Sequence, residues 1–301
     1  MDYSCYLNYK VIQKPLNIPD LEVEIGFGRG DFLIKIAKEN PEKNFLGFEI
    51  AEVSIKKLLK RVNKENIKNV KCVKIDAYWG FQVLLKDNYL NHIYINYPDP
   101  FPKKRDTNRR ITRKESLYIL AKKLKTGKCI EIRTDHFPFL EYTLNQAKEL
   151  DCFSISYQKI NISQPLTKYE EKWLNMGKDL YHILLKKEKE PEPIKIRTIK
   201  EVKHLFPVKL ENVKINPFEI ESKKIKISQT LNATFFKVWQ KDENFLIETV
   251  LSENGFVQKF MIVIKKKDNS YIFDVSPFSD VLRTKGVQET VNFVAKQTIK
   301  L

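Results

Sequence analysis

Several things are scarce in this 301-residue chain, and each scarcity excludes something. There are four cysteines, Cys5, Cys72, Cys129 and Cys152, none at metal-ligand spacing and three in apolar, strand-like runs. They read as buried free thiols in a reducing cytosol, not as a disulfide framework. The four histidines, His92, His136, His182 and His204, are scattered, so no metal site is expected. No apolar run approaches the ~20 residues of a membrane span. The first ten residues do not resemble a signal peptide. These absences predict a soluble cytoplasmic protein that uses neither a membrane nor a metal. Glycine is scarce too, nine in all, so Gly26, Gly28 and Gly30 within five residues stand out.

What is abundant is positive charge. Lys and Arg outnumber Asp and Glu by 54 to 38, a formal net charge of +16. The excess is +10 over residues 1–190 and +6 over residues 191–301, so neither half accounts for it alone. A lysine-rich proteome would produce such a balance, and so would a nucleic-acid partner. The 42% apolar content is enough for real cores, and the length favours two domains.

The order of patterns predicts an α/β domain. Residues 21–26 read as a strand running into the glycine turn, and residues 31–39 as an amphipathic helix. Further strands are expected over 44–50, 70–75, 92–96, 129–134, 153–160 and 180–187, with helices between most of them. Thr126-Gly127-Lys128 is expected to close the helix that starts near Thr112 or Arg113. Alternation of this kind gives a mainly parallel, doubly wound sheet of seven strands. The predicted organisation is 1–187 as a Rossmann-like domain, 188–193 as a linker and 194–301 as a small β-rich α+β domain. The linker reading rests on the charged, proline-bearing run Lys186–Pro193. In the last segment, strand-like runs at 225–239, 245–251, 256–265 and 271–275 predict an antiparallel meander, closed by a helix over 287–295.

Acids crowd one rim of the predicted sheet: Glu24, Glu49, Asp76, Asp99 and Asp135, each at or near a strand end. Ligands of open α/β sheets bind outside those ends. Gly26 and Gly28 allow close backbone approach. A carboxylate after the second strand suits ribose hydroxyls, and Asp76 lies where it could read an adenine amino group. The turn lacks GxGxxG spacing, and Asp31 occupies the place of a pyrophosphate. An adenosine ligand without phosphate and with positive charge is favoured, namely S-adenosyl-L-methionine.

The fourth strand delivers the most distinctive stretch, Ile93 to Arg113. Pro98, Pro100 and Pro102 stiffen a turn around Asp99. Six Lys or Arg then face one Asp between Lys103 and Arg113. The strings EIGFGRG, GFE, DA, NYPDPFPKKR…RRIT, TD and TKYEEKW, spread over residues 21–187, resemble the bacterial tRNA (guanine-N7)-methyltransferase family. That resemblance implies methyl transfer from S-adenosyl-L-methionine to N7 of a guanine in the tRNA variable loop. It places cofactor contacts on Glu24, Glu49, Asp76 and Asp99. It places substrate contacts on Lys103, Asp135, Thr167, Lys168, Tyr169 and Glu170. Phe101 stands where the family has tryptophan, Asp106-Thr107-Asn108 where it is rich in histidine, and Ala51 where histidine is frequent.

Guanine N7 carries a free lone pair, so no general base is needed, and catalysis reduces to positioning and electrostatics. Asp99 is the expected catalytic carboxylate, stabilising charge on the base or accepting hydrogen bonds from its N1–H and N2–H₂ edge. Asp135 and Glu170 could share that edge. Lys103, Lys104, Arg105, Arg109 and Arg110 are expected on phosphates, and Tyr169 or Phe101 on the flipped base. In the second domain, lysines 223–224 and 265–267 with Phe235, Phe236 and Trp239 allow RNA docking. A stabilising appendage or a dimer contact is an equal reading, and the chain could be monomer or homodimer. Two other functions stay open: a methyltransferase acting on another RNA, and an inactive RNA-binding protein on the same fold.

Overall fold

A computed structural model describes residues 4–12, 15–160 and 179–300. The chain forms two compact units, Met1–Ile196 and Arg197–Leu301.

The first unit is built on one mainly parallel sheet. Its strands are β1 (Tyr6–Leu7), β2 (Leu21–Ile25), β3 (Asn44–Glu49), β4 (Val70–Lys74), β5 (Leu90–Asn96), β6 (Leu124–Thr134), β7 (Phe153–Ile160) and β8 (Leu180–Lys187). They lie in the order β1-β4-β3-β2-β5-β6-β8-β7, with β8 antiparallel to both of its neighbours. The seven strands expected from the sequence are present. The two-residue β1 adds an eighth beside β4, too short to leave a periodic trace.

Helices α1 (Asp31–Glu39), α2 (Glu52–Lys64), α3 (Ala77–Leu84), α4 (Lys114–Lys123) and α5 (Phe137–Lys148) complete this unit. α3 is buried nearly all round, whereas α1 and α2 each bury an apolar stripe set by helical spacing. In α1 the stripe is Phe32, Leu33, Ile36 and Ala37; in α2 it is Ile55, Leu58, Leu59 and Val62. Each fully buried Leu or Phe contributes about 1.5–3 kcal/mol. Because β2 pairs β3 on one side and β5 on the other, successive connections diverge there. That divergence opens a crevice at the carboxyl ends of β2 and β5.

Thr126-Gly127-Lys128 does not close a helix. It lies within β6, where the pairing with β5 slips between Leu90 and His92, and Gly127 takes φ 80° in the irregularity. The charged run after β8 is also anchored. Lys187 is fully buried, and its ammonium donates to Asn88 Oδ1 (2.8 Å), Leu124 O (2.9 Å) and Glu190 Oε1 (2.7 Å). All three donors are satisfied, which is what makes a buried ammonium tolerable.

One face of the central strands is polar. Tyr94 donates to Glu22 Oε2 (2.8 Å), and its ring stacks on His92 at 4.2 Å. Glu131 receives Arg133 Nη2 at 2.8 Å and lies 3.2 Å from His182 Nε2 and 3.5 Å from His92 Nε2.

The second unit is a six-stranded antiparallel sheet with one helix against it. Its strands are β9 (Val208–Glu211), β10 (Lys224–Lys226), β11 (Leu231–Lys241), β12 (Asn244–Glu253), β13 (Phe256–Lys267) and β14 (Ser270–Val275). The order is β10-β11-β12-β13-β14-β9. Helix α6 (Lys285–Gln297) packs Val287, Val291, Val294 and Ala295 on the inward residues, among them Phe235, Ile247, Ile262 and Phe273. The run expected as one strand over 225–239 is two, β10 and β11, because the chain reverses through Ile227–Thr230. β9 lay outside the sequence expectation.

Burial alone would raise the Glu131 carboxyl, but His182, His92 and Arg133 outweigh it and hold the group well below the usual glutamate range. A depressed folded-state pKa gives stability that is present above the unfolded value and lost as pH falls toward the folded one. Glu131→Gln should therefore cost about 1–3 kcal/mol near pH 7. The gap to wild type should shrink as pH drops below about 4.5, read as thermal midpoints across pH. A gap independent of pH would show that the carboxylate's charge is not what stabilises this face.

Candidate active site

The glycine turn after β2 has left-handed backbone at Gly26 (φ 73°), Gly28 (φ 54°) and Gly30 (φ 75°). At Gly26 and Gly28 an added Cβ would meet nothing within 4 Å, so the main chain there borders open space. Close backbone approach to a ligand is what such bare positions provide. Asp31 opens α1 and is engaged by Arg61, whose Nη1 donates to Oδ1 at 2.5 Å.

The rim acids stand in different chemical states. Glu24 on β2 is buried; Asn96 Nδ2 donates to its Oε1 at 3.1 Å, and its Oε2 has no hydrogen-bond partner among the described residues. Burial pushes its carboxyl up to about 8, against the opposing pull of Asn96 and Arg133. Glu49 at the end of β3 ties the rim together. Its Oε2 accepts from Gly28 N (3.0 Å), and its Oε1 from Ile50 N (2.7 Å) and Ala51 N (3.0 Å). Asp76 caps α3, accepting from Tyr78 N at 2.9 Å through Oδ1. Asp135 ends β6, beside the His136 cap of α5.

Asp99 differs from all of these. It is exposed, and its carboxylate makes no hydrogen bond or ion pair among the described residues. The backbone on either side of the Pro98-Asp99-Pro100 turn is strained: Tyr97 has φ 52° and Phe101 φ 40°. Bulky residues in the left-handed region cost of order 1–3 kcal/mol each and persist only where neighbours enforce them. Tyr97 N donates to Arg133 O at 2.8 Å. The main enforcer is Arg110. Its Nε donates to Pro100 O (2.7 Å) and its Nη2 to Phe101 O (3.1 Å), while its guanidinium lies 4.4 Å from the Tyr142 ring centroid.

Arg110, expected as a phosphate contact, has its side chain engaged with the turn. The residue is 6% exposed, and both of its described side-chain hydrogen bonds go to the turn. Lys103, Lys104, Arg105 and Arg109 are exposed, the last three on a 3₁₀ helix, Lys104–Arg109. Asp106 lies between Arg105 and Arg109, 3.8 and 3.9 Å away. Arg109 also covers the Phe101 ring at 4.5 Å. Thr167, Lys168, Tyr169 and Glu170 fall outside the described residues.

Strand order therefore gathers Asp76, Glu49, the glycine turn with Glu24 beneath it, Asp99 and Asp135 along one rim, with the basic 3₁₀ helix following the Asp99 turn. The hold of Arg110 on the Asp99 turn and the contact of Asn96 with Glu24 escaped the sequence reading. Arg110 was one of six basic residues in a run. The signal for Asn96 was a polar residue closing an apolar strand, two residues beyond Tyr94, which pairs with Glu24 on the neighbouring strand.

Bare glycine backbone, a buried orphan carboxyl oxygen and carboxylates without a phosphate cradle fit a cationic nucleoside cofactor. The fold and this rim define an S-adenosyl-L-methionine-dependent methyltransferase. A family model described as "Putative methyltransferase" matches residues 20–183. A tRNA (guanine-N(7)-)-methyltransferase of Aquifex aeolicus (strain VF5) is 54% identical over 97% of this chain and 98% of its own length. Another, from Thermotoga maritima, is 29% identical over 91% of this chain and 88% of its own. A third, from Buchnera aphidicola subsp. Baizongia pistaciae, is 34% identical over 62% of this chain and 78% of its own. The chain belongs to the tRNA (guanine-N(7)-)-methyltransferase family.

Two outcomes test the site. A ligand cation reaching Glu24 would favour its ionised form, so cofactor binding at pH 7 should release a fraction of a proton. Calorimetry in buffers of different ionisation enthalpy reads this, and Glu24→Gln should abolish it. Arg110→Ala should weaken cofactor affinity and turnover while leaving the salt dependence of tRNA binding unchanged, whereas Arg105→Ala should make that dependence shallower by about 0.7–0.9 in log–log slope. A shallower slope in the Arg110 variant would return that residue to the phosphates.

Proposed function

We propose that this chain methylates N7 of a guanine in the variable loop of tRNA, with Asp99 as the catalytic carboxylate. The observation that carries the assignment of Asp99 is its state: exposed, without a partner among the described residues, and fixed on a strained turn beyond the carboxyl end of β5. S-adenosyl-L-methionine supplies an electrophilic methyl group when bound. The chain's part is to hold a nucleophile that already has its lone pair and to balance the positive charge the base acquires.

Glu24, Glu49 and Asp76, with the Gly26 and Gly28 backbone, make up the cofactor side, and Asp99 borders both ligands. Glu49 keeps acceptor capacity beyond its three backbone bonds, as a carboxylate has about four lone-pair sites. Asp76 keeps its second oxygen outside the cap. Asp99 accepts hydrogen bonds from the guanine edge or faces the cationic ring, and either act stabilises the methylated base more than the unmethylated one. Lys103, Arg105 and Arg109 meet phosphates, and Asp135 extends the acidic edge. Thr167 to Glu170 belong to the substrate side on family resemblance. The protein acts as monomer or homodimer in the cytoplasm and needs no metal.

The decisive measurement is incubation of unmodified tRNA with methyl-labelled cofactor, followed by mass-spectrometric mapping of nucleosides. N7-methylguanosine should form in the variable loop. Label at another atom or region, or none, would overturn the assignment. Asp99→Ala should slow single-turnover methylation by about 10²-fold or more, the scale of losing one preorganised electrostatic group. Cofactor affinity should fall by much less. A near-normal single-turnover rate would remove Asp99 from the chemistry.

A further inference from the structure

The second unit has one covered sheet face and one open one. Strand alternation sends Phe235, Ile247, Ile262 and Phe273 inward under α6, and sends their neighbours to the other side. Of the three aromatics singled out in the sequence, Phe235 is core, while Phe236 and Trp239 are 50% and 48% exposed. Alternation alone turns Phe236 outward, and a β-bulge turns Trp239 outward with it. Phe235 pairs with Thr249 but Val238 with Ile247, so β11 carries one extra residue. Both Phe235 and Val238 stay in the core, and Phe236 and Lys237 are both expelled to the surface. The bulge is secured: Ser222 N donates to Phe236 O (2.9 Å), and Val238 N donates to Glu221 Oε1 (3.0 Å).

The Trp239 ring is held ready. Its Nε1 donates to Glu248 Oε1 at 3.2 Å, and Lys237 Nζ sits 4.2 Å from the ring centroid. Register places Lys224, Thr234, Val250 and Lys259 in one row across four strands. Lys226 and Lys265 lie on the same face, flanking that row. Lys224, Lys226, Lys237, Lys259 and Lys265 are all exposed, and none forms an ion pair among the described residues. The acids on this face are engaged: Glu248 by Trp239, and Asp274 by the Val275 N–H at 2.7 Å. A second copy packed isologously on this face would set the same ammonium groups against each other. A polyanion with stackable rings complements it, because ammonium groups take phosphates and exposed aromatic rings take bases.

We propose that this open face is a docking surface for single-stranded or looped segments of tRNA, with bases stacking on Phe236 and Trp239 and phosphates on the five lysines. The choice of tRNA as occupant rests on the function proposed above.

The test uses the full chain and an unmodified tRNA transcript, with affinity followed by fluorescence anisotropy across salt concentrations. Lys224→Glu with Lys259→Glu should weaken binding at least about tenfold near 0.1 M salt. It should also make the log–log salt slope shallower by about 1.5. Trp239→Ala should weaken binding roughly 5- to 100-fold without changing the slope, the range expected for one lost stacking contact, and Trp239→Phe should restore most of it. Cofactor affinity serves as the folding control. If the charge reversal fails it, Lys224→Gln with Lys259→Gln should give about the same slope change, since the same two phosphate contacts are lost. Unchanged tRNA affinity and slope would overturn the proposal. So would a shift in sedimentation coefficient showing that the substitutions break or form a contact between copies. A wild-type chain that binds tRNA through this face but forms no N7-methylguanosine would overturn the proposed reaction and leave the docking surface standing. Methylation with unaltered variant affinities would do the reverse.

Discussion

The clamp of Arg110 on the carbonyls of Pro100 and Phe101 is the interaction on which the rim depends. Hydrogen bonds from a charged donor contribute about 1.5–3 kcal/mol each. Two of them offset the left-handed strain at Tyr97 and Phe101, of order 1–3 kcal/mol each. The guanidinium lies against Tyr142 and Phe139 of α5, so the turn is referred to the body of the domain through a cation and two rings. The consequence is chemical. A turn held from below by a neighbouring cation does not need its own aspartate as a cap, and the Asp99 side chain is left for something else.

The other acids show what that freedom means. Asp76 spends one oxygen on a helix cap, and Glu49 spends both on backbone amides. Glu24 is buried beside one amide and held uncharged near neutrality. Five carboxylates on one rim would repel one another strongly if all were ionised and unshielded. Here the deepest is neutral and two have their charge spread over N–H dipoles. The rim can therefore be acidic enough for a cationic ligand without being unstable in its absence.

The parts of this arrangement that periodicity and glycine control were legible in the sequence. Seven strands, their order of appearance and the acids at their ends follow from apolar runs stopping at Gly26, Glu49, Asp76 and Asp99. What was not legible depends on partners distant in sequence or on single-residue slips. Arg110 is one basic residue among several until Tyr142, 32 positions later, packs on it. Phe235 and Trp239, four positions apart, would share a face in a regular strand, and one inserted residue in β11 sends them to opposite faces. Thr126-Gly127-Lys128 has the composition of a helix stop, yet the β5–β6 pairing extends past it. The polar face around Glu131 was hidden because its members are spread over four strands, β2, β5, β6 and β8.

The burial of Arg110 also bears on where phosphate affinity comes from. With that residue buried and Asp106 set between Arg105 and Arg109, the basic stretch offers the substrate less net charge than its composition suggests. Phosphate contacts fix a nucleic acid's position roughly in proportion to the charges neutralised. A loop reduced in this way is suited to orienting one nucleotide beside Asp99 more than to supplying most of the binding free energy for a whole tRNA. The positive excess beyond residue 190, +6, is too large a share of the total of +16 to leave out of that account. On the open sheet face Lys224, Lys226, Lys237, Lys259 and Lys265 have no carboxylate partner among the described residues, whereas the first unit engages many of its cations in ion pairs such as Arg61–Asp31, Lys43–Glu22 and Lys187–Glu190. An unpaired lysine neutralises a phosphate, and so releases that phosphate's condensed counterions, without losing a protein contact, so each such residue contributes more to tRNA affinity than a paired one of the same formal charge.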